Sequence, residues 1–108
     1  MAGNRMGELE HRILLALRAL GPEAYSVSVA IHLEAVTGRD VALATLHVSL
    51  RRLEEKGWVR SELRRARAEE GGRERRCYEP TAEGLARLRE THSELDALWR
   101  AADAGDSP

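Results

Sequence analysis

Between residues 44 and 59 the chain reads ATLHVSLRRLEEKGWV, and this stretch restricts the fold more than any other. Leu46, Leu50 and Leu53, with Leu43 a turn earlier, recur at intervals of three and four, which gathers them on one inward face of an α-helix. The predicted helix runs from about 42 to 56 and stops at Gly57, a residue suited to the position just past a helix end. Its start is unusual, because Ala42 stands where a capping Ser, Thr, Asp or Asn is expected and Asp40 lies two residues too early. After Gly57 the period changes. WVRSELRRAR alternates, Trp58 or Val59 followed by Ser61 and Leu63, and RERRCYEP alternates Arg75, Cys77 and Glu79 against Arg76, Tyr78 and Pro80. Two short strands joined through ARAEEGGRE, with Gly71-Gly72 freeing the tip, make a β-hairpin with a charged end.

Two helices precede this block and one follows it. ELEHRILLALRAL, residues 8–20, places Leu9, Ile13, Leu17 and Leu20 at helical spacing and ends at Gly21-Pro22. SVSVAIHLEAV, about 26–36, is a second helix capped by Ser26 or Ser28; it buries Val29, Ile31, Leu33 or Val36 depending on its rotation. The last segment enters through Thr81, a good N-cap, and carries Leu85, Leu88, His92, Leu95, Trp99 and Ala102 at alternating spacings of three and four. The expected fold is mainly α with a small β-hairpin (α+β). Its divisions are a domain of three helices and the hairpin over 1–81, a terminal helix over 82–104 and a disordered tail over 105–108.

Composition narrows the function. A chain of 108 residues with 43% hydrophobic and 32% charged side chains is long enough for one folded domain without disulfides or metals. Phe is absent, so Leu and Ala must fill the core. Cys77 stands alone, the N-terminus lacks the apolar run of a signal peptide, and nothing approaches the ~20 apolar residues of a membrane span, so a cytoplasmic protein is expected. His11, His32, His47 and His92 show no metal-ligand spacing with one another or with Cys77. With no Gly-rich phosphate loop and no nucleophile cluster, an enzyme is not expected, and no cofactor or metal is assigned.

The net charge of −1 conceals an asymmetry. Residues 39–76 hold eleven Arg or Lys against seven acids, a local +4, whereas residues 77–108 hold three bases against seven acids, a local −4. A polyanion meets the local patch and not the sum. Sixteen of the seventeen basic residues are arginine, which suits bidentate contacts to phosphate or guanine, although an arginine-rich composition throughout explains the ratio equally well.

Three helices, a hairpin and a further helix, with the third helix and the hairpin basic, is the order of a winged helix-turn-helix domain. A helix that enters the major groove buries one stripe in its own domain and keeps small or polar side chains outward. Thr45, His47, Ser49, Arg51 and Arg52 fit that outward face, and Arg65, Arg73 and Arg75 in the wing can reach phosphates or a minor groove.

LEHRILLALRAL, AYSVSVAIHLE, ATLHVSLRRLEEKGWV and GGRERRCYEPTAEGLARL together resemble the PadR-like transcriptional regulators, in particular short members with a single terminal helix. The resemblance covers roughly residues 7–90. It is carried most by the third-helix block and by the spacing of Tyr78, Thr81 and Gly84. It implies a cytoplasmic, sequence-specific DNA-binding regulator, with repression as the family's habit. His47 stands where relatives commonly have a Tyr facing a DNA phosphate, and Tyr25 is followed by Ser26 where they often have Gly.

One winged domain reads few base pairs, so a homodimer on pseudo-palindromic double-stranded DNA is expected, with recognition helices ~34 Å apart. Leu88, His92, Leu95, Leu98 and Trp99 are the expected dimer contacts. The reading of a different class is a winged-helix module that binds a protein partner, or an adaptor that works through the terminal helix, without specific DNA binding. An effector ligand is not specified by the sequence.

Overall fold

The computed structural model describes residues 5–65, 69 and 71–105. Helix α1 (Glu8–Leu20) is entered through Glu10, whose Oε1 accepts the Gly7 N–H at 2.8 Å, and it buries Ile13, Leu14, Ala16 and Leu17. Helix α2 (Ser26–Thr37) resolves both open questions about that segment. Ser28 and not Ser26 holds its start, its hydroxyl accepting from the Tyr25 N–H and donating to the Tyr25 carbonyl, both at 2.9 Å. Val29 and Leu33 face inward, leaving Ile31 and Val36 exposed.

Helix α3 (Leu43–Glu55) starts at Ala42 without a side-chain cap. Leu46, Leu50 and Leu53 are fully buried, each contributing about 1.5–3 kcal/mol of apolar transfer. Leu43 does not join them: it is exposed, and Val41 just before the helix packs on the core instead. The helix ends in a Schellman motif. The Gly57 N–H donates to the Glu54 carbonyl and the Trp58 N–H to the Leu53 carbonyl, both at 3.0 Å, with Gly57 at φ 80°. Trp58 and Leu53, brought together by that motif, are both buried in the core.

Strands β1 (Val59–Arg65) and β2 (Glu74–Pro80) pair antiparallel, Val59 opposite Pro80 and Arg65 opposite Glu74. The outer edge of β2 is tied to the α1–α2 loop: the Tyr78 N–H donates to the Ala24 carbonyl at 2.8 Å and the buried Cys77 thiol to the Glu23 carbonyl at 3.5 Å. Residues 66–68 and 70 of the expected hairpin tip, Arg67 among them, lie outside the described residues, as do 106–108 of the expected tail.

Helix α4 (Ala82–Gly105) is fixed at its start by Thr81. The Thr81 hydroxyl donates to the Gly57 carbonyl at 2.7 Å and accepts the Gly84 N–H at 3.0 Å, so one side chain joins the α3–β1 turn to the new helix. Gly84 then lies directly on the Trp58 carbonyl; a Cβ there would come within 2.0 Å of that oxygen. Leu88 is 4% exposed and packs in the protomer's own core, which removes it from the expected dimer contacts. Beyond it the helix projects. The radius of gyration, 16.0 Å, exceeds the ~13 Å of a compact chain this long, and the longest dimension is 61 Å.

Candidate nucleic-acid interface

The exposed face of α3 carries Thr45, His47, Val48, Arg51 and Arg52. Ser49 is the correction: it is only 9% exposed and lines a groove of about 610 Å³ between α3 and the start of α1. Its spacing explains the burial, because it stands three residues after Leu46 and four before Leu53, on the flank of the buried stripe. His47 shares a 3.0 Å hydrogen bond with the Ser26 hydroxyl and so joins α3 to the first turn of α2.

The partners of each cation separate structural from available charge. Lys56 is committed inward: its Nζ donates to both Glu10 carboxylate oxygens at 2.8 and 2.9 Å and to the Arg5 carbonyl at 3.1 Å, and it lies 4.8 Å from the Trp58 ring centroid. Arg60 pairs with Glu79 at 2.8 Å and Arg64 with Glu62 at 2.5 Å. Among the described residues, the side chains of Arg51, Arg52 and Arg73 enter no ion pair and no hydrogen bond. Two uncompensated guanidinium groups therefore stand side by side on the exposed face of α3.

The register divides the hairpin into two faces, because directly opposed residues share one. Arg60, Glu62 and Arg64 share a face with Glu79, Cys77 and Arg75. There Arg64 and Arg75 oppose each other, a like-charge pair eased by Glu62 on Arg64 and by the Tyr25 ring, whose centroid lies 4.1 Å from the Arg75 guanidinium carbon. The other face carries Ser61, Leu63 and Arg65 with Tyr78, Arg76 and Glu74, and Ser61 meets α3 by donating to Glu54 Oε2 at 2.7 Å. Arg65 is exposed, its Nε 3.5 Å from the Gly72 carbonyl. Burial pushes the Tyr78 hydroxyl pKa up, with Arg76 and Arg51 opposing that shift and Glu54 adding to it. Burial likewise raises the Cys77 thiol, against the pull of Arg64 and Arg75.

Sequence reasoning did not single out Arg76. The alternation of β2 placed it with Tyr78, but only the Ser61–Glu54 contact shows that this face is the one turned to α3. At the far end of the molecule, His92, Leu95, Leu98 and Trp99 are exposed along the projecting half of α4, the three apolar ones at 48%, 59% and 68%.

The model of the transcriptional regulator PadR-like family matches residues 13–90. The chain belongs to this family. A PadR family transcriptional regulator from Eggerthella lenta is 31% identical, with 89% of this chain and 85% of that chain covered and a TM-score of 0.68. A PadR-like transcription factor from Bacteroides fragilis is 25% identical over 95% of this chain and 94% of that one, TM-score 0.78. A PadR-like transcriptional regulator from Bacillus cereus, 20% identical over 89% and 88%, shares the fold at a TM-score of 0.74. No curated protein matches the chain. The winged-helix arrangement of this PadR-like chain is thus that of solved transcriptional regulators. Among its described residues, no helix is long and apolar enough to cross a membrane.

Proposed function

We propose that this PadR-like regulator binds a pseudo-palindromic operator in double-stranded DNA as a homodimer and acts as a repressor. Helix α3 enters the major groove, and the hairpin wing lies on the backbone or the adjacent minor groove. The observation that carries the reading is the pair Arg51 and Arg52, without ion-pair partners among the described residues, on the exposed face of a helix whose opposite face buries Leu46, Leu50 and Leu53. Thr45 and His47 flank them, and Arg65, Arg73 and Arg75 extend the basic surface onto the wing. Repression needs nothing beyond occupancy, since a bound dimer obstructs whatever else must use that DNA.

The dimer contact is the projecting half of α4, through Leu95, Leu98 and Trp99 with His92 a turn before them. Three large apolar side chains so exposed on one helix call for a partner surface. In this reading residues 1–81 form the DNA-binding domain and 82–104 supply the dimer helix.

Fluorescence anisotropy against labelled DNA from upstream of the chain's own gene, with a scrambled duplex as control and a salt series for both, tests the proposal. Tight binding to the first duplex, weaker binding to the second and a steep fall with salt are expected. Arg51→Ala or Arg52→Ala should cost about 1–3 kcal/mol if that residue grips a base. Absence of binding to either duplex at low salt would sink the proposal and favour a protein partner for the same surface.

A further inference from the structure

Every other cation of the hairpin strands is either paired with a carboxylate, stacked on a ring or turned toward the tip; Arg76 is held in a different way. Its Nη1 donates to the Ser61 hydroxyl at 3.0 Å, and that hydroxyl donates its own proton to Glu54 Oε2 at 2.7 Å. Ser61 is thereby fully oriented: its one hydrogen goes to the carboxylate of α3 and a lone pair receives the guanidinium of β2. Among the described residues, no carboxylate lies within ion-pair distance of Arg76, although Glu54 is one hydroxyl away. The guanidinium is exposed, and it spends one of about five donors, leaving the rest and its full charge free.

We propose that Arg76 is a DNA-backbone contact of this regulator, and that Glu54 and Ser61 are positioning residues that set its aim and couple the angle of the wing to the recognition helix. The inference rests on the DNA-binding reading above and adds a residue and a mechanism to it. Three elements meet in the chain Glu54–Ser61–Arg76: the last full turn of α3, β1 just beyond the Gly57 turn, and β2. A guanidinium fixed on both sides by its own domain would be a structural cation, as Lys56 is on Glu10. A guanidinium held through one neutral hydroxyl keeps its charge while losing freedom to swing. That is the arrangement a phosphate contact needs, because side-chain ordering is completed before binding. Face and register agree: Arg76 lies with Arg65 on the side of the hairpin turned to α3, whereas Arg60 and Arg64 lie on the other side and are neutralised there.

The test uses the full chain and the same two labelled duplexes, with Arg76→Ala, Ser61→Ala, Ser61→Thr and the Arg76→Ala/Ser61→Ala double variant. Loss of one phosphate contact should reduce the slope of log K against log salt by about 0.9 per bound protomer, which at 0.1 M salt is an affinity loss of about eightfold per contact on either duplex. Arg76→Ala is expected to give that loss with an unchanged melting temperature. Ser61→Ala should give a smaller loss, Ser61→Thr should restore it because the hydroxyl is kept, and the double variant should bind no worse than Arg76→Ala alone. Arg51→Ala or Arg52→Ala in parallel separates the two readings. If either weakens binding while Arg76→Ala leaves affinity and slope intact, Arg76 does not touch DNA and only this inference fails. If Ser61→Ala and Arg76→Ala are additive, the positioning role fails. If the wild-type chain binds neither duplex at low salt, the proposed function falls and this inference with it.

Discussion

Replacing Gly84 with alanine sets two effects of known size against each other. In an isolated helix, Gly→Ala is favourable by about 1 kcal/mol, so if Gly84 were an ordinary exposed residue the variant would be more stable than the parent. The structure demands the opposite sign. An alanine Cβ would lie 2.0 Å from the Trp58 carbonyl oxygen, 2.8 Å from its carbon and 3.1 Å from its Cα, all backbone atoms that no rotamer change can move aside. To reach ordinary contact at 3.4 Å, α4 and the Trp58 peptide must part by about 1.4 Å. That movement stretches the Thr81 N–H bond to the Trp58 carbonyl, now 3.0 Å, and the Thr81 hydroxyl bond to the Gly57 carbonyl, now 2.7 Å. Overpacking at ~1–3 kcal/mol and two hydrogen bonds at ~1 kcal/mol each, less the helix gain, leave a net destabilisation of about 2–4 kcal/mol. The melting temperature of a domain this size should fall by roughly 10–20 °C. Urea unfolding in a Trp99→Phe background, where Trp58 is the only tryptophan and is buried, reads the change at the contact itself. A Gly84→Ala variant as stable as the parent would show that α4 does not pack on Trp58 this closely.

Lys56→Met should destabilise by about 1–3 kcal/mol, because it strands the largely buried Glu10 carboxylate; adding Glu10→Gln should recover much of that, and equal losses in the single and double variants would refute the pairing. His11 has its pKa lowered, first by burial and then by the charge of His92, in a groove between α1 and α4 that Glu8, Arg12 and Thr91 also line. The unfolded chain therefore binds more protons just below pH ~6.5, and stability should fall as pH drops through that value toward the lowered folded pKa. Denaturant unfolding between about pH 7.5 and 5.5 should show a flatter profile for His11→Asn, and an identical profile would remove His11 as the cause. Leu95→Asp should yield a monomer with much weaker DNA binding; sedimentation showing an intact dimer would reject the projecting half of α4 as the contact.

The fold was legible where one face of an element meets the core and nothing else competes. The leucines of α3, the glycine that stops it and the Thr81–Gly84 entry to α4 each carry a local reason in the residues themselves. Expectation failed where burial depends on which neighbour arrives. Leu43 has the spacing of an inward residue, but Val41 fills that part of the core. Ser49 looks polar and outward, yet its flank position beside Leu46 and Leu53 turns it into the groove against α1. Leu88 belongs to a seam that is continuous in sequence. In space the seam is divided, since the core ends near Leu88 while the helix continues.

The same division governs the charges. Counting arginines along residues 39–76 finds a basic segment but not which of its cations a phosphate could use, because a carboxylate 2, 19 or 46 residues away decides that. Lys56 is consumed by Glu10, Arg60 by Glu79 and Arg64 by Glu62; the first ties the end of α3 to α1, the second ties β1 to β2, and the third lies within β1. What remains without a carboxylate partner includes Arg51 and Arg52 on α3, Arg65 and Arg73 near the hairpin tip and Arg76 held through a hydroxyl. The salt dependence of binding then comes from these cations, and discrimination comes from contacts in the groove. By this argument the slope of binding against salt should respond to substitution of Arg51, Arg52, Arg73 or Arg76, whereas changes at Lys56, Arg60 or Arg64 should be read first as changes in stability.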